Sequence, residues 1–307
     1  MSGHSFYPAE CPFTQPPSPF RTLTGNGNFA RRRNLGFLLI LLLAAIPVRA
    51  PLISVFNLSI HDDRYTQIVV VPIISGIMIY LRRNAIFGQG KLFLPMVPPV
   101  IVFELLLFFQ TAVHGGTSLS LATFVLTAIG GFALCYGKEA LRNAAFPLLL
   151  LFLTVPLPTR VLDQAVATLQ EGSAEVAYVL FKMAGVPVFR RGFQFSLPGV
   201  DIQIAKECSG IRSGIALFIT ALLAGQIFLR SGWSKISLIL FVIPIAIVKN
   251  AVRIATISCL GVYVDVNFLY GRLHRYGGIP FSLLALAIFM PLVFGLYKLE
   301  SRRRIEG

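Results

Sequence analysis

Long apolar runs separated by short polar connections constrain this chain more than any other feature. A bilayer crossing takes about 20 mostly apolar residues. Runs of that kind occur near 35–56, 66–81, 92–110, 118–136, 144–158, 209–229, 236–258 and 278–297. The expected fold class is therefore an all-α polytopic integral membrane protein with about eight transmembrane helices. The second and fifth runs are the shortest, and both contain proline. Composition agrees. Charged residues make up 13% of the chain, against roughly 25% in soluble domains, and the mean hydropathy is +0.75. A soluble enzyme is excluded. The net charge is +14, from 27 Lys+Arg against 13 Asp+Glu. Such a balance also suits nucleic-acid binding, but the basic residues lie in short clusters between apolar runs. With one Trp and no zinc-like Cys/His spacing, nucleic acid is not an expected partner. Four scattered cysteines do not make a disulfide framework.

The segments divide as follows. Residues 1–30 are rich in Pro, Gly, Ser and Thr around Pro16-Pro17-Ser18-Pro19, which describes a disordered tail. Arg31-Arg32-Arg33 precedes the first run in the manner of a signal peptide. The apolar stretch continues to Phe56, however, so it reads as a retained first span. Residues 31–158 hold the N-terminal transmembrane helices, 159–207 an extramembrane segment, 208–300 a second helical group, and 301–307 a basic tail. Within 159–207, Leu162 to Met183 has the spaced apolar positions of an amphipathic helix. Phe193 to Leu197 and Val200 to Ile204 alternate around Pro198-Gly199, which predicts a β-hairpin. With the N-terminus inside, more than half of the 27 basic residues fall on inside pieces, while 111–117 has no Lys or Arg and 57–65 only Arg64. That is the positive-inside pattern: both tails are cytoplasmic and 159–207 is extracytoplasmic.

This topology gathers three reactive residue types at the outer face. Cys208 stands at the outer start of the sixth span, and Arg253 within two turns of the outer end of the seventh. His274 stands just before the eighth. They would supply a nucleophile, a cation for an oxyanion and an acid/base. Each also has a plain reading: a small apolar residue, a snorkelling anchor and a loop histidine. The surroundings favour function. Glu207 to Arg212 is a crowded polar run at a helix N-terminus, where the dipole favours a thiolate. Lys249, Asn250 and Arg253 lie deep enough in an apolar run that they must face the protein interior and find partners. Glu104, mid-span, must also pair or stay protonated. Asp62, Asp63, Arg64 and Tyr65 occupy the first outer loop. Cys11, Cys135 and Cys259 have no assigned role.

Glu207-Cys208-Ser209-Gly210-Ile211-Arg212-Ser213 resembles the cysteine motif of the exosortase/archaeosortase family. Asn250-Ala251-Val252-Arg253-Ile254 resembles its arginine motif, and His274 with Gly277, Gly278 and Phe281 its histidine motif. Val155 to Pro158, Gly185 to Val188, Arg191-Gly192 and Tyr65 to Ile74 are also similar. Gln67 stands where many members have a histidine, and Arg275-Tyr276 is bulkier than the residues often found after the histidine. The resemblance implies a bacterial inner-membrane enzyme without the additional C-terminal domain of some members, its active site on the periplasmic face. Its catalytic residues would be Cys208, Arg253 and His274, with Glu207, Ser209, Arg212, Asn250 and Tyr65 binding substrate. It implies a cysteine peptidase or transpeptidase acting on secreted proteins that end in a Pro-Glu-Pro-type motif, a transmembrane helix and a basic tail. Its biological setting would be exopolysaccharide or surface delivery. An acceptor nucleophile is a further expected partner, beside the lipid bilayer; no metal and no organic cofactor are expected. Two other classes stand beside this reading. A transporter would line its path with Glu104, Arg212 and Arg253, although no inverted half-repeat is visible. A polysaccharide polymerase would depend on outward acids and arginines rather than on Cys208.

Overall fold

The computed structural model describes residues 27–62, 65–88, 102, 109, 116–205, 209–265, 267–270 and 278–305. The chain opens with α1 (Gly27–Ala45) and α2 (Arg49–His61), followed by α3 (Gln67–Leu81) and the short α4 (Arg83–Phe87). Next come α5 (Thr117–Asn143), α6 (Ala145–Leu150) with a 3-10 turn at Leu151–Thr154, and α7 (Thr159–Met183). Three strands follow, β1 (Phe189–Arg191), β2 (Gln194–Leu197) and β3 (Val200–Gln203). The chain then forms α8 (Ile211–Phe228), α9 (Gly232–Leu240), α10 (Val242–Tyr263), α11 (Asn267–Tyr270) and α12 (Gly278–Ile305).

By length and composition, the described residues include four helices able to cross a membrane: α5, α8, the joined α9–α10, and α12. The count rises to six if each of two bent pairs is one span. The protein is thus a multi-pass membrane protein, and the expected count of eight meets three departures. The run at 35–56 is not one straight span: α1 and α2 meet at 87°, where Pro47 cannot extend the α1 ladder. The run at 144–158 gives only α6 and the 3-10 turn before the chain bends by 90° into α7. The run at 66–81 forms α3, whose 15 residues rise only about 22 Å. The run at 92–110, with Glu104, lies almost wholly outside the described residues.

The bundle core joins α8, α9, α10 and α12 through Leu217, Ala221, Leu238, Val242, Ile245, Ala285, Phe289 and Val293. Opposite them, α1 and α5 run antiparallel. The Tyr136 hydroxyl donates to Asn34 Oδ1 at 2.8 Å, and Gly131 lies beneath Ile40. The α8–α9 connection is fastened to α12 by Glu300, whose carboxylate accepts the backbone N–H of Ser231 at 2.7 Å and of Arg230 at 3.1 Å. These pairings bring Arg31 to Arg33, Arg82, Arg83, Lys138, Arg142, Arg230, Lys298 and Arg302 to one end of the bundle, the basic end.

At the far end, the amphipathic helix expected at 162–183 is α7, with Asp163, Glu171 and Glu175 exposed and Leu162, Val166, Ser173, Ala174, Ala177 and Phe181 buried. The predicted hairpin is β2–β3, turning at Pro198-Gly199, where Gly199 has φ 76°. The structure adds β1, so the unit is a three-stranded antiparallel sheet in the order β1-β2-β3. Register pairs Arg190 with Phe195 and Phe195 with Ile202. These three face the helices, and Phe195 is fully buried. Arg190 Nη1 also meets Glu175 Oε1 of α7 at 2.8 Å.

Candidate active site

The site is built where α7, α8 and α10 meet, and its geometry follows from unequal helix lengths. A Cβ added at Gly210 would meet Asn250, one at Gly214 would meet Ala246, and one at Gly225 would meet Lys235 and Leu238. So α8 runs antiparallel to α9–α10 and begins level with Asn250. Beyond that level α10 continues to Tyr263, about 20 Å farther at 1.5 Å per residue. This overhang is clad by α7 and the sheet through Ala174, Ala177, Phe181, Val186, Phe195, Leu197 and Ile204. Arg253 lies ten positions before Tyr263, the last residue of α10. Arg253 therefore stands one turn beyond Lys249, at the base of the overhang, half-buried.

Small residues let α7 approach α10. A Cβ at Gly172 would come within 2.8 Å of Ile247 Cδ1, and the neighbouring Ser173 and Ala174 are fully buried. Asn250, 1% exposed, donates from Nδ2 to Ser173 Oγ at 3.1 Å. Its side chain also walls Gly210, whose absent Cβ would lie 3.0 Å from Asn250 Oδ1. Gly210 holds φ 78°, a left-handed conformation that costs other residues about 1–2 kcal/mol. Both constraints require glycine there. Lys249, 3% exposed, donates to Ser213 Oγ, and Ser213 Oγ donates to Gly210 O at 2.9 Å. The interior placement expected of Lys249 and Asn250 is thus met.

Cys208, Glu207 and His274 lie outside the described residues, but the chain on both sides of Cys208 is anchored. On the N-terminal side, Gln170 of α7 donates from Nε2 to Ile204 O at 2.6 Å, and Ile204 N–H bonds Phe193 O at 3.0 Å. On the C-terminal side, Ser209 is 1% exposed, and its hydroxyl has no hydrogen-bond partner among the described residues. Phe281 packs in one cluster with Ile257, Val252, Val200 and Ile202. The described parts of the cysteine, arginine and histidine motifs therefore meet along α10. Residues 58–291 match the family model described as transmembrane exosortase. The chain belongs to the transmembrane exosortase family. Comparison with curated proteins and with solved structures finds no match.

Two other residues expected at the exosortase site are less closely tied to it. Arg212 is exposed on the first turn of α8. Tyr65 is half-buried between α2 and α3, its N–H bonded to Asp62 O at 3.0 Å. It shares the far end with Ser209, because Val71 of α3 packs with Ile215 and Ile219 of α8. Sequence reasoning quoted Ser213 within the cysteine motif without a role, and missed Gln170, Gly172 and Ser173 of α7. Their signal is the small-residue run Gly172-Ser173-Ala174 in an otherwise amphipathic helix, a pattern that permits close helix approach.

Proposed function

We propose that the protein is a membrane cysteine transpeptidase or protease that cleaves C-terminal Pro-Glu-Pro-type sorting signals of secreted proteins. The observation that carries this reading is the fixation of both flanks of Cys208, Ile204 by α7 and Gly210 by α10, beside the helix that bears Arg253. Cys208, its thiol proton passed to His274, attacks the scissile carbonyl. Arg253 donates to the oxyanion, a contribution of about 2.7–4 kcal/mol for a single donor in related chemistry. His274 protonates the leaving amine as the C–N bond breaks, which leaves a thioester on Cys208. His274 then takes a proton from water or an amine acceptor as that nucleophile attacks the thioester, and the thiol is released. The basic end is cytoplasmic, by the positive-inside rule. The overhang, the sheet and the catalytic group then face the periplasm, where the substrate helix docks from the bilayer. The product is destined for surface or exopolysaccharide-linked delivery.

The test is co-expression with a signal-bearing substrate, followed by gel mobility. Cys208→Ala abolishes the processed form, and normal processing in that variant refutes the reading.

A further inference from the structure

The mechanism above leaves one buried charge without a task. Lys249 sits in the middle of an apolar helix, and an ionisable group there is retained only where it is paired and does something. Among the described residues no carboxylate lies within ion-pair distance of it, and its bond is to Ser213 Oγ. A hydroxyl has one hydrogen to give and two lone pairs. Ser213 spends its hydrogen on Gly210 O and so receives the Lys249 N–H on a lone pair. The three groups form a directed chain: ammonium to hydroxyl to the carbonyl of the left-handed residue that opens α8. The next residue, Asn250, is turned about 100° around α10 and donates to Ser173 of α7, while its side chain also walls Gly210. Two consecutive residues of α10 thus hold the entry of α8, and the second of them also holds α7.

We propose that Lys249 and Ser213 are positioning residues that hold the entry turn of α8, residues 209–213, against α10 and so fix where the adjoining Cys208 is presented. Such a bond between a charged donor and a neutral acceptor is stronger than one between neutral groups. It ties the turn to α10 at a second point, beside the Asn250 side chain that walls Gly210. The activity arm of the test rests on the proposed function; the thiol arm does not.

The test uses the full chain in membranes with Cys11, Cys135 and Cys259 changed to Ala, so that Cys208 is the remaining thiol. The rate of its alkylation by N-ethylmaleimide is compared across variants. Ser213→Thr keeps the hydroxyl and stays within about twofold of the parent, whereas the isosteric Ser213→Val changes the rate at least about fivefold, as does Lys249→Met. The double variant Ser213→Val/Lys249→Met goes no further than either single change, as expected when one link is broken twice. With the thiol intact, substrate processing by Ser213→Val falls about tenfold in kcat with KM held, and Ser213→Thr restores it. Equal alkylation in the Thr and Val variants, or additive effects in the double variant, overturns the proposal. Should Lys249→Met fail to fold, the Thr/Val pair decides the matter. Processing that survives Cys208→Ala refutes the proposed function but leaves the alkylation result to judge this one.

Discussion

At the basic end of the bundle, α1, α4 and α5 are joined by large aromatic side chains. At the far end, α7, α8 and α10 are joined by small residues and a few directed polar bonds. In the first region Phe132 and Tyr136 lie 4.7 Å apart between ring centroids, with Phe87 at 4.8 Å from Tyr136 and Phe37 at 5.8 Å from Phe132. Rings of this kind pack well over a range of offsets and tilts. In the second, a single Cβ at Gly210 or Gly172 would collide at 3.0 Å or less. The first region has one such close approach, Gly131 against Ile40 at 2.9 Å, amid its aromatic packing, whereas the second combines two of them with directed polar bonds, as a site that must aim a nucleophile requires.

The sharpest way to break the contrast is Gly210→Ala. Left-handed strain and the Asn250 contact act together, so a loss of at least about 2 kcal/mol is expected, read as a lowered Tm in detergent with loss of processing. Gly185→Ala is the control. Its φ is 68° with nothing within 4 Å of the added Cβ, so it shows the strain alone, and equal losses in the two variants would deny the Asn250 contact. Next in size is Gly172→Ala, at about 1–2 kcal/mol. Ile247→Val removes the Cδ1 atom that the new methyl strikes and should recover part of that loss in the double variant. Third, Tyr136→Phe at the basic end deletes the bond to Asn34 and keeps the ring packing. A cost near 0.6 kcal/mol is expected from hydrogen bonds measured in membranes, with processing unchanged. The smallest effect belongs to Glu175→Gln, which breaks the bridge to Arg190. With the Glu175 side chain 62% exposed, the expected change is about 0–1 kcal/mol, and a larger Tm shift would mean that the sheet is held chiefly by charge.

Much of this arrangement was legible in the sequence, for reasons that can be traced residue by residue. Apolar runs marked α5, α8, α9–α10 and α12, because burial in lipid needs no partner and so leaves its trace in a continuous segment. Alternation around Pro198-Gly199 marked β2 and β3, and the depth of Lys249 and Asn250 in an apolar run marked them as interior. The break at Pro47 was hidden inside continuing hydrophobicity, and β1 inside a strand of only three residues. The contacts that shape the site were the least legible. Asn250 and Ser173 are 77 positions apart and Lys249 and Ser213 are 36 apart. Nothing in a helical period says which distant hydroxyl a polar side chain will meet.

That 77-residue separation also sets a schedule. α7 leaves the ribosome long before the face of α10 that it covers, and at about 5–20 residues per second the gap is roughly 4–15 s. Throughout that interval Gly172 waits for Ile247 and Ser173 for Asn250, while Phe181 already has Phe195 of the sheet to pack against. The α7–α10 contact is therefore completed after the α1–α5 fastening, which is finished by residue 143, and before the tie of Glu300 to the α8–α9 connection.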